Sequence, residues 1–298
     1  MAKTIVFIHG NFVTRRCWDG WVDRFERRGH TCLAIAYPGR DEPVERLRQK
    51  PSDPFLGTLT IEQVVDHHVR LIRALGEKPI VVGHSFGGLL TQLMVQRDLA
   101  AAAVAIDSVP PQGVVPLSWP FFKSTFPVIN PFVSASRPYL MSFKHFQYAF
   151  VNDLPLAEQR AAYEAHVVPE SRRLARGGLS RAARIDFARP HAPLLLIAGE
   201  KDQIMPASLN RKNHGRYRRS PSVTELKQFA RRGHYSIIAG PGWEDVADYA
   251  IEWANRTTTV RGAAGRAGER RGTRGVADAG TGAPGVGRDG SVPPPADR

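Results

Sequence analysis

The 298-residue chain is 42% hydrophobic, and its 41 Lys and Arg against 28 Asp and Glu give a formal net charge of +13. That length suits one large α/β domain or two small ones, and no run approaches the roughly 20 apolar residues of a membrane-spanning helix. The only cysteines, Cys17 and Cys32, supply neither a disulfide framework nor metal-ligand spacing, and both read as ordinary reduced residues.

Met1-Ala2-Lys3 runs directly into Thr4-Ile5-Val6-Phe7-Ile8-His9. That apolar run is too short for a signal peptide and ends in His-Gly, so a cytoplasmic protein is expected. Residues 4–9 read as a strand buried on both faces, 18–29 as a helix ending at Gly29, and 31–36 as a second strand closed by Tyr37-Pro38-Gly39. Thr60 with Gln63 three residues on has the pattern of a capping box opening a helix over 61–75. A strand over 79–84, a helix from 86 to about 98 and a strand over 102–107 follow. Strands alternating with helices predict an α/β class protein with a mostly parallel central sheet flanked by helices.

The alternation breaks between 108 and 190, where aromatic residues and prolines crowd in and no strand is evident. This segment reads as an inserted helical cap, leaving 1–107 and 191–256 as the core. Strands are expected again at 193–199 and 222–229, and a closing helix over about 243–255. Residues 257–298 hold 10 of the 27 glycines and no large apolar residue beyond valine. Such a composition cannot offset its ordering entropy, so a disordered, dispensable tail is expected.

The charge invites a nucleic-acid reading, but its distribution argues otherwise. There are 33 arginines and 8 lysines, and from residue 257 on 7 arginines stand against 4 acids, which is +3 of the total. The rest is scattered. One cluster, Arg211, Lys212, Arg216, Arg218 and Arg219, reads as a solvated helix face. Neither nucleic acid nor membrane insertion is expected.

Gly83-His84-Ser85-Phe86-Gly87 lies between an apolar strand and a helix. Strand, G-x-S-x-G, helix is the layout of a nucleophile elbow, with the serine hydroxyl held out on a tight turn. Serine is a weak nucleophile at neutral pH and needs a base oriented by an acid. Downstream, in that order, stand Asp202, on the loop after strand 193–199, and His234, just after the last strand. Glu200 is one position too near its strand, and Asp107, at the end of strand 102–107, is the alternative acid. The developing oxyanion needs two N–H donors: the backbone of Phe86, and that of Asn11 in His9-Gly10-Asn11-Phe12, with Phe12 the alternative. His84 and His9 read as packed, supporting residues. No cluster with metal-ligand spacing is evident, so neither metal nor cofactor is expected.

Taken together, His-Gly after the first strand, GHSFGG at 83–88, GEKD at 199–202 and GH at 233–234 resemble the α/β-hydrolase fold superfamily over residues 4–256. With no room for a hairpin before the His-Gly strand, the chain is similar to the smaller methylesterase and hydroxynitrile lyase branch. The resemblance implies ester hydrolysis through an acyl-enzyme on Ser85, with His234 as base and Asp202 as orienting acid. The expected substrate is a small-to-medium apolar ester, contacted by Phe12, Phe146 and Tyr148. A cofactor-free lyase, a carbon–carbon bond hydrolase, or a slow-turnover ligand-binding protein on the same residues is the alternative.

Overall fold

In the computed structural model the described residues are 3–274, with side chains through residue 259. The first strand, β1, is Thr4–Ile8, followed by a 3-10 turn at Arg15–Trp18 and helix α1 at Asp19–Glu26. Strand β2 is Thr31–Ile35; short helices α2 (Val44–Arg48) and α3 (Pro54–Thr58) precede α4 (Ile61–Arg73). Strand β3 (Ile80–His84) turns into α5 (Phe86–Gln96), and β4 is Ala102–Ile106. Helices α6 (Trp119–Ile129), α7 (Phe143–Ala149), α8 (Leu156–His166) and α9 (Arg172–Gly177) stand between β4 and β5 (Leu194–Gly199). Helix α10 (Ala207–Arg216), β6 (Thr224–Phe229), α11 (Ser236–Ala239) and α12 (Glu244–Arg274) complete the chain.

The six strands form one sheet in the order β2-β1-β3-β4-β5-β6, and every neighbouring pair is parallel. A parallel sheet must be covered on both faces, and period-2 alternation divides its side chains accordingly. Ile5, Phe7, Val82, Val104 and Ile197 pack with Trp18, Trp21, Phe25 and Trp253 on one face. Val6, Ile8, Val81, Ala103 and Leu196 pack with α4, α5 and the α6–α9 segment on the other. The strand order reverses between β1 and β3, and crevices beyond the carboxyl ends of strands at such a point are where α/β sheets hold ligands.

Most predicted elements stand within two or three residues of their expected limits. The capping box is present in both directions, Gln63 N–H to Thr60 Oγ1 at 3.3 Å and Thr60 N–H to Gln63 Oε1 at 2.9 Å. Helices α2 and α3 went unpredicted because each is only five residues long, too short for the 3.6 period to register. The expected tail needs correction at its start: α12 continues through Arg274 rather than ending near 255. Ala and Arg are good helix formers, and the Thr257 and Thr258 hydroxyls donate back to carbonyls of the preceding turn. The remainder of that expectation, 275–298, lies outside the described residues.

The turn from β3 into α5 is fixed by steric need. Ser85 has φ 58° and ψ −118°, a conformation costly for a residue with a Cβ. A Cβ on Gly83 would lie 2.2 Å from the Gly87 carbonyl oxygen, and one on Gly87 would lie 2.1 Å from that of Ile8. The obstructing atoms are backbone and cannot swing aside. Gly87→Ala is therefore expected to cost roughly 3 kcal/mol or more, read as a lowered denaturant midpoint; a loss below about 1 kcal/mol would contradict this packing.

Candidate active site

Ser85 is held at the carboxyl end of β3 by its N–H, which donates to the Ile106 carbonyl at 2.9 Å, and by its own carbonyl, which accepts from Val109 at 2.9 Å. The side chain lines a cavity of about 80 Å³. Asn11, Phe12, Phe86, Phe121, Phe150 and Met205 are among the walls, and among the described residues no ionisable side chain lines it. The Phe86 N–H opens α5, where a first-turn amide has no intrahelical acceptor. Gly10 lets the β1 loop abut the serine, since a Cβ there would lie 2.8 Å from the Ser85 Cβ. Asn11 and Phe86, the two expected amide donors, thus flank Ser85 in one cavity.

Behind that loop His9 is wholly buried. Its Nδ1–H donates to the Gly10 carbonyl at 2.8 Å, its Nε2 accepts the Tyr37 N–H at 3.3 Å, and the Tyr37 hydroxyl donates to the His9 carbonyl at 2.7 Å. Burial lowers its pKa to about 3, so it stays neutral and serves as a brace. Phe12, at φ 70°, is pinned through its carbonyl, which accepts the Val168 N–H at 2.9 Å.

His234 and Asp202, far apart in the chain, are joined by a 2.6 Å hydrogen bond from His234 Nδ1 to Asp202 Oδ2, with both side chains fully buried. Asp202 Oδ1 accepts the N–H groups of Ile204 at 2.8 Å and Met205 at 2.7 Å, which fix the orientation of the carboxyl group. His234 Nε2 is buried and has no hydrogen-bond partner among the described residues. No Ser85–His234 hydrogen bond is formed; such bonds commonly tighten only when substrate is bound.

The loop carrying His234 is held by residues that sequence reasoning missed. Asp153 accepts the Gly233 N–H at 2.8 Å and the Ser236 hydroxyl at 2.5 Å. Phe150 sets the edge-to-face orientation of the imidazole, with ring centres 4.7 Å apart at 86°, and its carbonyl accepts the Tyr235 N–H at 2.9 Å. Neither residue lies in a motif. A phenylalanine in an aromatic run and a loop aspartate carry no local signal of such a task.

Asp107 lies beside this pair but does not hydrogen-bond the histidine. Its Oδ1 accepts the Gly199 N–H at 2.7 Å, and its buried Oδ2, beside Asp202, has no hydrogen bond among the described residues. Burial first, and the charge of Asp202 second, raise its pKa well above the usual carboxylate range. His84 Nε2–H donates to the His234 carbonyl at 2.7 Å, and burial lowers the His84 pKa well below the usual histidine value. Asp107, His84 and His234 bring one ligand-type atom each within 4.8 Å of one another. Sequence spacing hid that grouping, because its members come from β3, β4 and the loop after β6.

Two expectations are corrected. Phe146 does not line the cavity; it is fully buried behind Phe150, on which it stacks at 5.2 Å. Tyr148 does not line it either, and instead lies beneath the Lys123 ammonium, 3.8 Å from its ring centre. Phe150, the residue that caps the C-terminus of α7, takes the place at the cavity wall expected of them. Phe12, the third residue expected at substrate, does line the cavity.

Residues 5–262 match the family model described as the alpha/beta hydrolase family. Norfluorocurarine synthase 1 from a Strychnos species is 31% identical over 128 residues, which are 42% of this chain and 45% of that protein. An extracellular alpha/beta-hydrolase from a Paenibacillus species superposes with a TM-score of 0.62 at 20% identity, covering 84% of this chain and 98% of the other. A pyrethroid hydrolase from Sphingobium faniae JZ-2 superposes with a TM-score of 0.61 at 19% identity, covering 86% and 99%. At such identities the two structures speak to the fold.

Proposed function

The chain belongs to the alpha/beta hydrolase family, and from that premise we propose that it hydrolyses carboxylic esters of small-to-medium apolar substrates through an acyl-enzyme on Ser85. The observation that carries this reading is the buried Asp202–His234 hydrogen bond, next to a cavity lined by Ser85 and without ionisable walls. Asp202 holds the His234 tautomer with the proton on Nδ1, leaving Nε2 as the base. His234 takes the Ser85 proton as Oγ attacks the ester carbonyl, and the oxyanion is met by the Asn11 and Phe86 amides. Nε2 then gives that proton to the leaving alkoxide. Water, deprotonated at Nε2, attacks the acyl carbonyl and returns Ser85.

The segment 108–190 acts as the cap that selects substrate, since α6 and the residues after α9 supply cavity walls. A cavity of about 80 Å³ is small against the usual drug-sized site, which favours short acyl groups. The test is labelling by a fluorophosphonate probe, followed by p-nitrophenyl esters of rising acyl length. Butyrate is expected to exceed palmitate by at least ~10-fold in kcat/KM, because a cavity of about 80 Å³ admits the short acyl chain and overpacks against the long one. Absence of labelling would overturn the serine mechanism, and equal rates on both esters would overturn the substrate reading.

One observation supports a second reading. The Strychnos relative is named a synthase, so a cofactor-free lyase or carbon–carbon hydrolase step on the same residues is the alternative, distinguished by labelling without ester turnover.

A further inference from the structure

Helix α6 has two apolar faces. Phe121, Thr125, Val128 and Ile129 line the substrate cavity. Trp119, Phe122 and Phe126, spaced to share the opposite face, are 75%, 47% and 53% exposed, and Phe132, Leu117 and Val115 near its ends are 92%, 80% and 62% exposed. Scattered exposed apolar residues need no explanation, but a contiguous aromatic face does.

The electrostatic surroundings of this face are one-signed. From residue 108 to residue 152, and again from 203 to 224, the sequence contains no Asp or Glu. An open groove of about 1260 Å³ is lined by Arg97, Arg181, Arg184, Arg216, Arg218 and Arg219, with Asp186 the single carboxylate on its wall. Among the described residues none of these arginines forms a salt bridge. Groove and aromatic face are continuous: Arg216 donates to the Gly113 carbonyl and Lys212 to that of Val115, both at 3.4 Å, on the strand of chain leading into α6. Leu179, two residues before Arg181, lines the substrate cavity and is 60% exposed, which marks a cavity wall between the two.

We propose that this face of the α6–α9 segment seats on an anionic lipid surface, with the α6 aromatics in the headgroup–acyl boundary and the groove arginines on lipid phosphates. Tryptophan, phenylalanine and leucine beside arginine form the composition that settles at such an interface. No helix among the described residues is long and apolar enough to cross a membrane, so the attachment is peripheral. Charge decides between occupants. A second copy packed across a two-fold axis would set arginines against arginines, and a nucleic acid would leave the aromatic face in water. Seated this way, the cavity would receive apolar esters dissolved in the lipid; the docking itself does not depend on the reading of Ser85.

The test uses the full chain and its Ser85→Ala variant with vesicles of phosphatidylcholine alone or mixed equally with phosphatidylglycerol. Both proteins are expected to sediment with the mixed vesicles at least ~10-fold more strongly than with the neutral ones, and raised salt is expected to release them. Emission should shift to the blue on the anionic vesicles, and Trp119→Phe should remove most of that shift. Phe122→Ser with Phe126→Ser, and separately Arg181→Glu with Arg218→Glu, should each lower partitioning ~10-fold or more while melting stays unchanged. Equal binding to both vesicles, or wild-type partitioning by either double variant, overturns the proposal. So does failure to sediment, whether the aromatic face then proves to hold a dimer or the groove to hold duplex DNA.

Discussion

Replacing Ser85 by alanine is expected to lower kcat/KM on short acyl esters by at least ~10³-fold and to abolish fluorophosphonate labelling, with little change in melting. Loss of a nucleophile within a cooperating set removes nearly the whole contribution of that set, whereas oxyanion donors and binding alone leave a small residue over water. Stability should hold because the serine side chain makes no hydrogen bond that orders the turn; the backbone bonds to Ile106 and Val109 do that. Alanine also inherits the φ of 58° without added bulk. Ester hydrolysis surviving in this variant at wild-type rates would remove Ser85 from the reaction.

The second large effect separates two aspartates that lie side by side. Asp202→Asn is expected to lower kcat about 10⁴-fold, because an amide can present its N–H to His234 Nδ1 and stabilise the wrong tautomer. Asp107→Asn should leave kcat within about threefold, since burial and the Asp202 charge favour the neutral form of Asp107 and an amide matches that form in shape and charge. Stability gives an independent reading. The Asp107 pKa is raised in the folded protein, so at neutral pH the unfolded chain binds fewer protons than the native state and stability falls as pH rises above the unfolded value of about 4. Asp107→Asn removes that loss. Its melting temperature should exceed the wild type's at pH 8, and the gap should close toward pH 4. If instead Asp107→Asn abolishes activity and Asp202→Asn does not, the acid has been assigned to the wrong strand.

Much of the candidate site's layout was legible because its residues sit beside structural punctuation. Ser85 lies between glycines at a strand-to-helix turn, Asp202 follows a buried strand, and His234 follows a glycine after the last one. Phe12 was legible too, as a neighbour of the His-Gly turn. Phe146 and Tyr148 were misread because an aromatic run names which residues are apolar but not which face of a seven-residue helix turns inward. Phe150 took that place. Asp153 and the Asp107–His84–His234 grouping were invisible for a different reason: Asp153 meets the His234 loop from 80 or more positions away and His84 meets His234 from 150, and such separations leave no local spacing to read.

The sequence by itself determined the order of strands and helices, the parallel sheet they imply and the chain order serine, aspartate, histidine. All of these rest on local chemistry: apolar periodicity, glycine at tight turns, and side chains placed at strand ends. Tertiary structure alone decided which aspartate meets the histidine. Asp202 and Asp107 both follow the carboxyl ends of parallel strands, and both could have served. Asp202 accepts two backbone N–H groups and the His234 Nδ1–H, which fix it against the histidine. Asp107 receives one amide in a dry interior beside the Asp202 carboxylate, which pushes its pKa up. Burial and proximity to a like charge are properties of the folded protein, and no arrangement of residues along the chain encodes them locally.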